Sequence, residues 1–532
     1  MSPLLLVRLL FLCSCLSFLP LGFSQASSKW QTLSGNPPLV VARGGVSGVL
    51  PDSSSNAFLL ATLISVPDVI LWCDVQLTKT GSAICGPSVD LSNFTTINKV
   101  FPKGSSSYVI NGIPTKGWYS VDFTDKQLAN VAIIQGIYSR TPNFDGDGYA
   151  VQHVEDVASQ FSKNGLWLNF QHDGFFTQHK LNATRYVLSV AKNFSVSYIS
   201  SPEVAFLKGI SSAFKSSETK LVFRFLELND VEPTTNQTYS SLLKNLSFIK
   251  SFASGILVPK SFIWPVDANY YLKPHTSLVS DGHKAGLEVF ASDFYNDFPL
   301  SYNYSQDPDN EILYYINNGE FSVDGVLSDF PATPSIARDC LSHMGRTAPD
   351  RATFTIITKD GASGDFPGAT DSSYERAIND GANFIDCSVQ ISADRIPFCM
   401  PAINLANGSN VLQSTFNNLA DNVPELGGLG VYAFALNWSQ IQTLTPVISN
   451  PYSASLLYRN PLYKNAGKFL TLADFLSLAK NSSSLSGVLI SIEVDNLSNH
   501  QMFSPLTLFS FRILLILPPR RRFPWKALSA ML

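Results

Sequence analysis

The chain has 532 residues, 45% of them hydrophobic and 15% charged, with a formal net charge of -4. It is too long for one ordinary domain and apolar enough to exclude wholesale disorder. The near balance of charge excludes both a basic field for nucleic acid and an acidic solvating tail.

The N-terminus reads as a secretory signal. Arg8 is followed by the almost wholly apolar stretch Leu9 to Phe23, and then by small residues at Ser24, Ala26 and Ser27. That order predicts removal of residues 1–24, with the cut between Phe23 and Ser28. Asn-X-Ser/Thr triplets begin at Asn93, Asn182, Asn193, Asn236, Asn245, Asn303, Asn407, Asn437, Asn481 and Asn496. In a secreted, extracellular chain these are candidate glycosylation sites on surface loops. Cys13 and Cys15 leave with the signal. Cys73, Cys85, Cys340, Cys387 and Cys399 remain, an odd number in a compartment that permits disulfides.

Downstream, short apolar runs alternate with helix-length segments. Leu39-Val40-Val41 comes first, then Val69-Ile70-Leu71 ending at Asp74, and Leu166-Trp167-Leu168 ending near Gln171. Next are Leu221-Val222-Phe223 ending at Arg224 and Gly255 to Val258 ending at Pro259. Leu287 to Phe290 leads to Ser292, and Val323 to Leu327 leads to Asp329. Strands with polar C-terminal ends predict either a (β/α)₈ barrel or a doubly wound sheet over residues 39–337. Residues 338–353 are short and polar and read as a linker.

A second copy follows, over residues 354–503. RGGVSGVLPDSSSNAF (Arg43 to Phe58) resembles KDGASGDFPGATDSSY (Lys359 to Tyr374). WCDVQLTKTGSAICGPSVDL (Trp72 to Leu91) aligns without a gap on DCSVQISADRIPFCMPAINL (Asp386 to Leu405), and GLWLNFQ (Gly165 to Gln171) on GVLISIE (Gly487 to Glu493). So wide an offset signals domain duplication rather than a solenoid. The likeness stops near Asn499, so the second copy reads as truncated. Residues 504–532 read as an atypical tail. Its apolar run Leu506 to Leu517 is interrupted by Arg512 and is shorter than the ~20 residues of a membrane span. Arg520, Arg521 and Arg522 follow it, which is not the ending of a lipid-anchor signal.

These paired segments resemble the glycerophosphodiester phosphodiesterase family, and within it the plant branch with tandem domains at the cell surface or wall. The resemblance implies a (β/α)₈ barrel of that type, followed by the truncated copy. It also implies hydrolysis of glycerophosphodiesters to an alcohol and glycerol 3-phosphate. The family motifs are H-R-G-A-S-G-x-x-P-E-N-T, E-x-D, H-D and a later E-I-K. Two histidines act as acid and base, and carboxylates hold a divalent cation, Ca²⁺ or Mg²⁺.

Here the histidine positions hold Arg43 and Pro87 in the first copy, and Lys359 and Pro401 in the second. Trp72 and Asp74 stand at E-x-D and Gln171 at the later Glu; the second copy has Asp386, Ser388 and Glu493. Asp74, Asp386 and Glu493 are therefore the remaining candidate metal ligands. No catalytic pair is intact, which predicts weak turnover. The alternative is a non-catalytic cell-surface or wall protein that binds an anionic ligand at the barrel mouth, with Arg43 either contacting that ligand or pairing with Asp52 or Asp74. His153, His172 and His179 are secondary candidates, and Asp145 with Asp147 reads as a turn rather than a calcium loop. The repeat positions of Cys73 and Cys85, and of Cys387 and Cys399, point to two equivalent disulfides; buried free thiols are the other possibility, and Cys340 is the odd one.

Overall fold

A computed structural model describes residues 30–146, 148–343, 354–455, 457–493 and 510–516. The chain divides into two units, Met1–Arg346 and Thr347–Leu532. Residues 1–24, 344–353, most of 504–532, Asp147 and Asn496 lie outside the described residues.

In the first unit the strands of the main sheet are β1 (Leu39–Arg43), β2 (Ile70–Leu77), β3 (Ala83–Cys85), β4 (Leu166–Asn169), β5 (Val196–Ser201), β6 (Lys220–Arg224), β7 (Gly255–Pro259), β8 (Glu288–Phe294) and β9 (Gly325–Ser328). All but β3 pair in parallel, and β1 joins both β2 and β9, so the sheet closes on itself. This is the (β/α)₈ barrel, not the doubly wound sheet. Strands with apolar residues on both faces suit it, because one face meets the helices and the other fills the barrel. Inside sit Val41, Ile70, Trp72, Trp167, Tyr198, Val222, Leu257, Phe290 and Leu327. The Trp167 ring stacks on Tyr198 at 4.5 Å and meets Trp72 at 5.4 Å, an aromatic plug in the barrel core.

The first helix, Ser55–Ile64, starts where the Ser54 side chain accepts the Ala57 N–H, and buries Ala57, Phe58 and Ala61. Gly45 is required before it. Its φ is +82°, and a Cβ there would lie 2.3 Å from the Ala57 carbonyl carbon. The last helix, Ala332–Ile336, continues through Leu341. Arg338, expected in the linker, is instead buried; it binds Asp68 through both terminal nitrogens and donates to the Pro38 carbonyl. Its guanidinium ties the end of the barrel to its beginning, so the boundary falls after this helix.

The second unit has a smaller sheet of its own. The strands of its main sheet are β10 (Ile357–Thr358), β11 (Phe384–Ile391), β12 (Pro397–Cys399), β13 (Gly487–Glu493) and β14 (Ser510–Ile516). The order β10-β11-β13 is parallel, as β1-β2-β4 is, and β14 adds antiparallel to β13. The hairpin partners Val75–Cys85 and Gln76–Ile84 recur as Val389–Cys399 and Gln390–Phe398. The loop after the first strand recurs too: Ser53 N–H donates to the Gly44 carbonyl, and Ala369 N–H to that of Asp360.

Each hairpin carries a disulfide, Cys73–Cys85 and Cys387–Cys399. Cys340 is exposed and outside both. Among the described residues no helix is long and apolar enough to cross a membrane.

Candidate functional site

The charged groups of the first unit gather where the parallel strands end. Asp74 on β2 is held from the neighbouring strand: Asn169 Nδ2 donates to Asp74 Oδ1 at 2.6 Å. The Asn169 amide is oriented by a relay, since Trp167 Nε1 donates to Ser200 Oγ at 2.8 Å and Ser200 Oγ to Asn169 Oδ1 at 2.8 Å. All three partners are buried, so the Asp74 carboxylate is fixed rather than free to turn.

Arg224, the last residue of β6, reaches across the opening. Its Nη1 lies 3.6 Å from Asp74 Oδ1 and donates to Gln171 Oε1 at 3.1 Å. The same guanidinium lies over the Trp72 ring, 5.5 Å from its centroid. Asp74 and Gln171 thus belong to one site, as the ends of their strands predict.

Arg43 turns to neither Asp52 nor Asp74. Its ion pair is with Asp329, 3.2 Å away, the residue just after β9. Barrel closure explains this, since β1 and β9 are neighbours. Asp329 is fully buried and also meets Arg140, whose Nη1 lies 2.9 Å from it and whose Nε pairs with Asp297 at 2.8 Å. Burial opposes the Arg43 charge, but Asp329, Asp52 and Asp74 outweigh it and raise its pKa. Arg43 is therefore a permanent cation and takes no part in proton transfer. Burial pushes Asp52 up to about 6, against the pull of Arg43 and the Ser53 hydroxyl.

Pro87 follows β3 and offers no proton. The backbone there docks on the Asp74 strand, with Gly86 N–H donating to the Asp74 carbonyl at 2.9 Å. The nearby imidazole is His172. Burial lowers its pKa to about 4, with Asp74 pulling upward and Arg224 downward, and its Nδ1 is buried without a hydrogen-bond partner. His179 is structural, hydrogen-bonded to the Phe175 carbonyl at 2.8 Å and packed on Tyr108. His153 precedes the helix Val154–Gln160 and bridges to Ile84.

The first barrel does not fit the divalent cation that the family resemblance implies. The indole of Trp72 offers only a donor, the Gln171 oxygen is taken by Arg224, and Asp74 alone is a carboxylate. In the second unit Asp386 is buried, accepts the Asp360 N–H, and has its pKa pushed up to about 7 by burial and by Asp360. Ser388 is buried beside it and Pro401 is half-buried after β12. Glu493 ends β13, and its side chain lies outside the described residues. Among the described residues no group of three His, Cys, Asp or Glu side chains is arranged to hold a metal.

Every described asparagine of the glycosylation triplets is exposed. Asn182 and Asn245 cap helices through Oδ1, which leaves Nδ2, the atom that carries a glycan, outside those bonds.

A closed parallel barrel with charged side chains gathered at the ends of its strands defines the first unit. The model of the Glycerophosphoryl diester phosphodiesterase family matches residues 360–524. The chain is 54% identical over 470 residues to glycerophosphodiester phosphodiesterase GDPDL1 of Arabidopsis thaliana, covering 88% of this chain and 62% of that one. It is 55% identical over 467 residues to GDPDL3 of the same plant, with the same coverage. The chain spans about three-fifths of the length of these curated relatives. A solved Oleispira antarctica phosphodiesterase in complex with the product sn-glycerol-3-phosphate is 18% identical, with 58% of this chain and 99% of that chain covered and a TM-score of 0.37. The chain belongs to the plant glycerophosphodiester phosphodiesterase-like family.

Proposed function

We propose that the protein acts on glycerophosphodiesters, releasing an alcohol and glycerol 3-phosphate, with turnover far below that of a family member whose histidines are intact. The observation that carries this reading is the identity of more than half over 88% of the chain to proteins named glycerophosphodiester phosphodiesterases. The low rate follows from the site. Arg43 and Pro87 cannot exchange protons, and losing each acid or base costs a factor of about 10²–10⁴. His172 is an imidazole within the electrostatic reach of Asp74 and Arg224. At about 4 its pKa is too low for an efficient base at neutral pH.

The place of action we propose is the cell surface or wall, as a secreted glycoprotein. The apolar N-terminal segment, the exposed glycosylation triplets and the paired cysteines support it. A second reading, a non-catalytic binder of an anionic ligand, is favoured by Arg43 standing where the first acid-base histidine is expected.

The deciding experiment is release of glycerol 3-phosphate from glycerophosphocholine by the purified mature protein, with Ca²⁺, with Mg²⁺ and with EDTA. Slow release above the buffer rate, reduced by His172→Gln, supports hydrolysis. Binding with no release supports the second reading, and neither binding nor release refutes both.

A further inference from the structure

Three positions of the first barrel correspond to the family's cation ligands: Trp72, Asp74 and Gln171. One side chain touches all three. Arg224 pairs with Asp74 at 3.6 Å, donates to Gln171 at 3.1 Å and lies 5.5 Å over the Trp72 ring. The substitutions make sense together. A carboxylate at 171 would suit a metal, whereas an amide oxygen suits a guanidinium donor. An indole at 72 is no use to a hard cation but favours a guanidinium face. Asp74, immobilised by Asn169 at 2.6 Å, supplies the counter-charge.

We propose that the Arg224 guanidinium takes the place of the divalent cation in the first barrel, so that this mouth presents guanidinium N–H donors to an anionic phosphate group without a metal. The inference rests on the reading that the mouth is the ligand site. Arg224 bonds Gln171 through Nη1, and its planar fork carries further N–H donors. Arg43, at the end of β1 and paired with Asp329 at 3.2 Å, is a second guanidinium of the same barrel. The unpartnered Nδ1 of His172 marks a polar group in the same place whose bonding is incomplete.

The test uses the mature chain carrying Asp386→Asn, which removes the second unit's described carboxylate at a metal position. The probes are Tb³⁺ for a cation and inorganic phosphate for an anion. In EDTA, phosphate is expected to raise the melting temperature, and Arg224→Gln to weaken phosphate binding about tenfold or more. Tryptophan-sensitised Tb³⁺ emission is expected to be absent, and to appear when Gln171→Glu and Arg224→Ala are combined, which removes the guanidinium and adds a carboxylate beside Asp74.

Tb³⁺ emission from the Asp386→Asn protein that Asp74→Asn abolishes would overturn the proposal. So would phosphate stabilisation that needs Ca²⁺, that survives Arg224→Gln, or that is absent altogether. Should Arg224→Gln fail to fold, the Tb³⁺ arm on the Asp386→Asn protein decides alone. Turnover is not read, so failure here leaves the hydrolytic reading standing, and absence of turnover leaves this one standing.

Discussion

Asp329 is the hub of the first barrel's ion pairs, and Asp329→Asn tests that assignment. The carboxylate is fully buried and faces Arg43 at 3.2 Å and Arg140 at 2.9 Å. Removing one partner of a buried pair costs about 3–5 kcal/mol, because the remaining charge is stranded. The lower end applies here. Arg140 keeps Asp297 at 2.8 Å, and the Arg43 side chain is 24% exposed and reaches water. About 3 kcal/mol corresponds to a melting point lower by roughly 6 °C for a barrel of this size. Arg43→Ala strands nothing, since Asp329 retains Arg140, and is expected to cost about 1–2 kcal/mol. Calorimetry of both variants reads the order directly. The same Asp329→Asn change frees positive charge at the mouth, so phosphate affinity should rise while stability falls. If Arg43→Ala is as damaging as Asp329→Asn, or if affinity and stability fall together, the hub assignment is wrong.

Three further outcomes follow from other parts of the molecule. Cys73→Ser with Cys85→Ser removes a short-loop cross-link and should cost about 3 kcal/mol by denaturant titration; no loss would mean that the hairpin register alone holds β3. Asp386 has its folded pKa raised to about 7, above the unfolded carboxylate value, so the folded form binds the proton more tightly and stability rises as pH falls through 7. Between pH 7.5 and 5.5 the second unit should gain about 2 kcal/mol, and Asp386→Asn should flatten that dependence; an unchanged pH profile in the variant contradicts the assignment. Arg338→Ala, which unties the last helix from Asp68 and Pro38, should lower the first unit's melting point more than Arg376→Ala on an exposed helix pair, measured side by side.

Much of the architecture was legible because strand ends carry their own signature. Asp74, Gln171, Arg224 and Asp329 each close an apolar run, and the duplicated cysteines sit at matching hairpin positions. The partnerships were not legible. Arg43 meets Asp329 only because the barrel closes the first strand against the last, and no local pattern reports a contact across so much chain. Arg140 lies in a turn of the long insertion between β3 and β4, where a lone arginine reads as solvent-facing, yet its side chain is buried against Asp329 and the Ser47 carbonyl. Arg338 misleads for the same reason: polarity suggests a linker, while the ion pair with Asp68 allows burial. The signal that was available for Arg224 was joint. Loss of carboxylates at 72 and 171 beside a strand-end arginine is a compensating set, visible only when the positions are read together.

A phosphate-binding mouth in the first barrel that works without a metal is tested most directly by titration calorimetry of sn-glycerol 3-phosphate into the mature protein in EDTA. The expected result is binding that Ca²⁺ leaves unchanged and that Arg224→Gln weakens about tenfold or more. Binding that appears only with Ca²⁺, and that Arg224→Gln leaves intact, would contradict it.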